Sequence, residues 1–217
     1  MKRALIAAID NYAPPYTSLS NLNDLYELKN ALESKGFVVS TLMDGGATKL
    51  AILNELQNLI NVSVSGDNLC FAFFGHGSHL SNPVESDGTS ECLCCYDWQS
   101  GGLIWDYELE NMVQGLVSGC ECDFIFGSCY AGGMVEGTSC TVWGACRELE
   151  NSHALKANGI WRGAFALFFC WFLVNYPQFS RYQTYYNTYY NVLNYVPNQH
   201  CTLRGTYYAI YDDKPFW

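Results

Sequence analysis

The sequence predicts an α/β domain, a mainly parallel sheet covered by helices on both faces. Three observations lead there. Short apolar runs of strand length alternate with stretches whose apolar residues recur at helical spacing, the order expected of βαβ units. The chain has 217 residues and is 49% hydrophobic, enough for one domain to bury a core without metal or disulfide staples. No internal repeat or linker interrupts it, so residues 1–217 are expected to fold as a single domain.

Arg3 to Ile9 reads as a buried first strand. Leu25, Leu28, Ala31 and Leu32 give Asn23 to Lys35 the spacing of a helix, which Gly36 ends. Phe37 to Leu42 is a second strand, and Leu50, Ile52, Leu53, Leu56 and Leu59 make Thr48 to Leu59 an amphipathic helix. Asn68 to Phe74 is the third strand. The polar stretch from Gly75 to Gly102 reads as a long loop, and ordered loops of that length are usually functional. Leu109, Met112, Val113 and Leu116 place a helix over Trp105 to Val117. Asp123 to Phe126 and Thr141 to Ala145 are the fourth and fifth strands, with a glycine-rich segment between them. Arg162 to Val174 is apolar nearly all round, as a helix buried against the sheet would be. Thr184 to Tyr195 is tyrosine-rich with asparagines at helical spacing, and Thr202 to Tyr211 reads as a last strand.

Net charge is −10, and no lysine or arginine occurs between Lys49 and Arg147. Nucleic-acid backbones and anionic lipids need a basic surface, so neither is an expected partner. An acidic cleft favours a cationic substrate group or a metal ion. The longest lipid-like stretch, Gly163 to Val174, is too short to span a bilayer. Lys2 and Arg3 followed by Ala4 to Ile9 resemble the start of a signal peptide, but Asp10 cuts the apolar part short. Eleven cysteines in a chain with a full core read as mostly reduced thiols, and the expected location is the cytoplasm. Cys92 and Cys95 have the spacing of half a zinc site. Cys120 and Cys122, one residue apart, do not supply the other half, and no metal site is expected.

The chemistry concentrates at two strand ends. The run Leu69 to Phe74 leads into Gly75-His76-Gly77-Ser78-His79, and the run Asp123 to Phe126 leads into Gly127-Ser128-Cys129-Tyr130. Parallel strands deliver such residues to the edge of a sheet where ligands collect, and a histidine beside a cysteine is a nucleophile with its acid/base partner. The Cys129 and Gly77 amides are candidate donors to a developing oxyanion. Cys129 also reads as one small buried hydrophobe among eleven cysteines. His79 competes with His76 for the base role but falls within the loop, and His153 and His200 have no comparable setting. Asp10 to Pro15 after the first strand, with a carboxylate and prolines, does not suit a phosphate-binding turn.

Several of these segments resemble metacaspases. They are Arg3 to Tyr12, the Asn23-Asp24 pair opening a helix, Phe73-Phe74-Gly75-His76-Gly77-Ser78, the Asp87-Gly88 to Trp98 stretch, Ile104 to Leu109, Val142 to Cys146, Arg162 to Phe165, and Gln199 through Lys214-Pro215-Phe216. The likeness runs in the family's order over nearly the whole chain. It implies a caspase-like three-layer sandwich whose mostly parallel six-stranded sheet carries helices on both faces, with residues 1–140 resembling the large subunit and 141–217 the small one.

The resemblance further implies a cysteine endopeptidase with His76 as acid/base, Cys129 as nucleophile, and a protein or peptide substrate. It implies cleavage after arginine or lysine, with Asp24 as one of the acidic pocket residues. The family's other pocket aspartate falls at Gly127, so one carboxylate remains to face a cation. On its own, Asp24 equally reads as a first-turn carboxylate at a helix N-terminus. Calcium often activates the family through several carboxylates. Here Asp106 is followed by Tyr107, and Glu136 only approximates another ligand position, too few oxygens for a tight site. No cofactor is expected. The absence of a basic residue between Cys129 and Arg147 points to an unprocessed chain. The competing reading is a catalytically weak domain of the same fold that works through a regulatory protein partner.

Overall fold

A computed structural model describes residues 1–12, 18–82 and 88–211. Pro14, Pro15, Asp87 and Lys214 to Phe216, which figure in the sequence reading, lie outside the described residues. The elements run β1 (Lys2–Ala8), α1 (Asn21–Ser34), β2 (Val38–Met43), α2 (Lys49–Asn61), β3 (Asn68–Phe74), β4 (Gly77–Ser81), β5 (Thr89–Cys94), β6 (Leu103–Trp105) and α3 (Asp106–Val113). They continue with β7 (Glu121–Phe126), β8 (Thr141–Gly144), β9 (Ala154–Ala157), β10 (Ile160–Gly163), α4 (Ala164–Asn175), α5 (Arg181–Tyr195), β11 (Thr202–Arg204) and α6 (Tyr207–Tyr211).

Six strands form the central sheet in the order β11-β8-β7-β3-β1-β2. All neighbours are parallel except β11, which runs against β8. Alternation along β3 shows why both faces are covered. Leu69, Phe71 and Phe73 join a cluster with Ile52 and Leu56 of α2 and Leu109 of α3. Cys70, Ala72 and Phe74 join one with Leu25 and Leu28 of α1 and Phe165 and Phe169 of α4. Each fully buried phenylalanine contributes roughly 1.5–3 kcal/mol. Strands buried on both faces need no polar alternation, hence their uninterrupted apolar sequences. One buried ion pair crosses this scheme: Arg181 at the start of α5 donates from Nε and Nη2 to the two Asp123 oxygens at 3.2 and 2.8 Å, and Trp143 Nε1 donates to Oδ1 at 2.9 Å. It fastens α5 to β7 and β8.

Five sequence expectations change. The stretch Gly75 to Gly102 is not an open loop but carries most of a three-stranded antiparallel sheet, β4-β5-β6, registered from Gly77 opposite Leu93 to Ser81 opposite Thr89. His79 is therefore a strand residue. The helix placed over Trp105 to Val117 ends at Val113. The segment 154–163 is a hairpin, β9-β10, so the following helix begins at Ala164 rather than Arg162. That helix is not buried all round, since Trp171 is 48% and Val174 54% exposed. The last strand stops at Arg204, because Thr206 receives the Ala209 amide on its hydroxyl and starts a short helix.

Candidate active site

The C-terminal ends of β3 and β7 are adjacent, with Phe73 opposite Phe126. The residues that leave these two strands wall a cleft of about 340 Å³ that includes His76, Cys129, Gly75 and Gly127, within the size range of small-ligand sites. The segment leading into α1 supplies Ser18 to Asn21, and the far wall is built by Ser152, His153 and the hairpin residues Trp161, Arg162 and Gly163. His76 and Cys129 thus face one cleft at neighbouring strand tips.

The histidine turn is held from below. Tyr12 donates its hydroxyl to the Cys94 carbonyl at 2.7 Å and accepts the His76 amide at 3.0 Å, and its ring lies 4.7 Å from the imidazole. Gly75 leaves room for that hydroxyl, since a Cβ there would lie 2.5 Å from it. Gly77 faces the Cys129 carbonyl, which a Cβ at 77 would overlap. The histidine and cysteine turns therefore touch through glycine.

The cysteine turn is gripped from the side. Tyr130 takes a left-handed backbone, φ 60°, a conformation uncommon outside glycine and one that clusters at functional turns. Its amide donates to the Glu150 carbonyl at 2.9 Å, and its ring packs 4.3 Å from that of His79. The Ser152 amide donates to the Cys129 sulfur at 3.4 Å. Burial raises the pKa of this half-buried thiol, and the amides of Ser152 and of Cys129 itself partly offset the rise. The shift favours the protonated thiol over the thiolate. Segment 150–153 is in turn anchored, because His153 donates its amide to the buried Gln199 at 2.8 Å and Glu150 holds His200 through its amide at 2.9 Å and its Nδ1 at 2.7 Å.

Asp24 lies one layer behind the cleft, in the first turn of α1. It is 1% exposed, and both carboxylate oxygens accept the Gly163 amide at 2.9 and 3.1 Å. Desolvation pushes its pKa up to about 8; the Gly163 hydrogen bond opposes this, and Glu27 adds to it. Arg162, on the cleft wall, pairs with Glu27 at 2.6 Å. At Gly127 an added side chain would run into the Phe74 ring, so the residue packed beneath this position leaves no room for a second carboxylate. Asp106 and Glu136 do not form a cage: Asp106 accepts the Tyr107 amide at 2.7 Å, and Glu136 pairs with Arg204 at 3.0 Å. That donor set does not fit calcium, which takes six or more oxygens.

Sequence reasoning passed over Tyr12, Ser152, His153 and the hairpin. The hairpin had a signal, because Asn158-Gly159 with φ of 51° and 82° is the dipeptide that favours tight two-residue turns. Ser152 had none, since its partner is 23 residues away.

A three-layer α/β sandwich with a histidine and a cysteine at neighbouring strand tips defines a class, the caspase-like cysteine peptidases. The model of the metacaspase, peptidase C14 domain matches residues 2–138, and the chain belongs to the metacaspase family. It is 30% identical to metacaspase-8 of Arabidopsis thaliana over 149 residues, 62% of this chain and 38% of that protein. It is 31% identical to metacaspase-1 of Plasmodium falciparum over 150 residues, 62% of this chain and 24% of that one. The match thus spans about a quarter to two fifths of these relatives' lengths. A crystal structure of a protein from Geobacter sulfurreducens superposes with a TM-score of 0.76 over 99% of this chain and 98% of that one, at 17% identity. That likeness speaks to the fold.

Proposed function

We propose that the chain is a cysteine endopeptidase in which His76 withdraws the Cys129 proton, the thiolate attacks the scissile carbonyl, and the imidazolium protonates the leaving amine before water releases the acyl group. The observation that carries this reading is the placement of both side chains on one cleft at the ends of β3 and β7. The Gly77 and Cys129 amides are the proposed oxyanion donors. The thiol's raised pKa supports a base-assisted attack over a preformed thiolate.

For the residue before the scissile bond we propose arginine or lysine, directed by Asp24 and by the acidic balance of the chain. A cation drawing on Asp24 must displace its proton, so recognition should strengthen as pH rises toward 8. With Phe74 beneath Gly127, this cation meets one carboxylate instead of two, and binding is correspondingly weak. The enzyme is proposed to work without calcium, in keeping with the partners already held by Asp106 and Glu136. A second reading, a weakly active domain that binds a regulatory protein, draws on the missing carboxylate at Gly127. A positional-scanning fluorogenic peptide library, read with and without calcium at pH 6 and pH 8, separates them. Cleavage after basic residues that strengthens at the higher pH supports the peptidase, and no turnover of any peptide supports the scaffold.

A further inference from the structure

The end of the sheet away from the cleft carries a second arrangement of thiols. In the parallel pair β7/β8, Asp123 lies opposite Thr141, so the preceding residues, Cys122 and Cys140, stand side by side where the two strands begin. Neighbouring strands are ~4.8 Å apart, inside the ~4.4–6.8 Å separation of α-carbons that a disulfide bridges. Both side chains enter the same core cluster, with Phe124 and Val142 two residues on, so they project to the same face. The Cys122 thiol hydrogen-bonds to the Cys140 sulfur, which favours the thiolate at Cys140. Both cysteines are reduced and 5–7% exposed. They are not sealed: with Cys120, Ser118, Thr141 and Arg181 they wall a cavity of about 550 Å³. The same hydrogen bond and burial hold Cys122 protonated, well above the ordinary thiol range, as burial does for Cys70 and Cys170; of the pair, Cys140 alone is shifted down.

We propose that Cys122 and Cys140 are a peroxide-responsive dithiol that closes to a disulfide across the entrance of β7 and β8. The Cys140 thiolate attacks one peroxide oxygen; the S–O bond forms, the O–O bond breaks, and hydroxide leaves to become water. The Cys122 thiol then attacks the sulfenic sulfur; the S–S bond forms and the S–O bond breaks, releasing a second water. Two electrons pass from the thiol pair to hydrogen peroxide. The bond joins the two ends of the excursion that carries Cys129 near its middle, without involving Cys129. Its expected effect is to hold β7 against β8 and raise thermal stability, as closing a loop of this length does.

The test uses the full chain bearing Cys129→Ala, so that oxidation at the cleft does not enter the measurement. After brief treatment with a small excess of hydrogen peroxide and trapping of free thiols with N-ethylmaleimide, intact mass and a non-reducing peptide map are recorded. The proposal expects two fewer alkylated thiols, a loss of about 2 Da before alkylation, one cross-linked peptide containing Cys122 and Cys140, and a Tm higher by several degrees that dithiothreitol reverses. Linkage of Cys120 in place of either partner, sulfinic acid at Cys140, or ten unchanged thiols in the treated variant would each overturn it. The linkage is read on native positions 122 and 140, so the result does not depend on whether Cys122→Ser or Cys140→Ser folds.

Discussion

Replacing Gly77 by alanine tests whether the contact between the two strand tips sets the site. A Cβ at position 77 would lie 2.1 Å from the Cys129 carbonyl oxygen and 3.1 Å from Ser128 Cβ. Relieving the first overlap requires the histidine and cysteine turns to part by about 1 Å. Overpacking of this kind costs ~1–3 kcal/mol of stability, a fraction of what a domain of this size holds. The effect on catalysis is larger, since a misplacement of ~1 Å between reacting groups costs on the order of 100-fold in rate. Gly77→Ala should therefore remain folded, with a Tm lower by a few degrees, while kcat/KM on a fluorogenic peptide falls about 100-fold. Activity within threefold of the parent, in a protein with the lowered Tm, would show that the Gly77 contact does not govern the relative positions of His76 and Cys129.

Two more outcomes follow from the carboxylate side of the cleft. Asp24 carries a folded-state pKa of about 8 against an ordinary 3.8, so between these values the unfolded chain is ionised while the folded one keeps its proton. The stabilisation is complete below pH 4 and declines by up to ~1.4 kcal/mol per unit as pH rises toward 8. Asp24→Asn keeps an oxygen for the Gly163 amide and lacks the titration, so its Tm should fall less between pH 5 and pH 8; parallel Tm profiles for parent and variant would contradict this. Gly127→Asp introduces a carboxylate at the cleft but places it against Phe74. We expect lower stability by ~1–3 kcal/mol and no gain in cleavage after arginine, and a variant that is both stable and faster on arginine substrates would refute the packing argument.

The legible parts of this chain are those whose stability is local to one element or depends only on burial. β1, β3 and β7 are continuous apolar runs because both faces are covered, and α1 and α2 declare themselves by the spacing of leucines. His76 and Cys129 are readable because each lies just beyond such a run, after Gly75 and after Gly127-Ser128 respectively. β4 was not: Gly77-Ser78-His79-Leu80-Ser81 holds a single large apolar residue, and it becomes a strand through its register with the buried β5. The hold on Cys129 is equally hidden. Ser152, Glu150, Gln199 and His200 act through backbone amides and contacts across more than twenty residues, which leave no periodic trace. The role of Phe74 under Gly127 is legible only in three dimensions, because the sequence shows a glycine at 127 but not the ring packed against it.

The most direct measurement is covalent labelling of the full chain with a peptidyl chloromethyl ketone, located by mass spectrometry, in parent and His76→Ala proteins. The account predicts modification confined to Cys129 among the eleven cysteines and slowed at least 100-fold, an order set by loss of the general base, when His76 is removed. Labelling of Cys129 at the same rate in both proteins would show that the imidazole does not serve the sulfur.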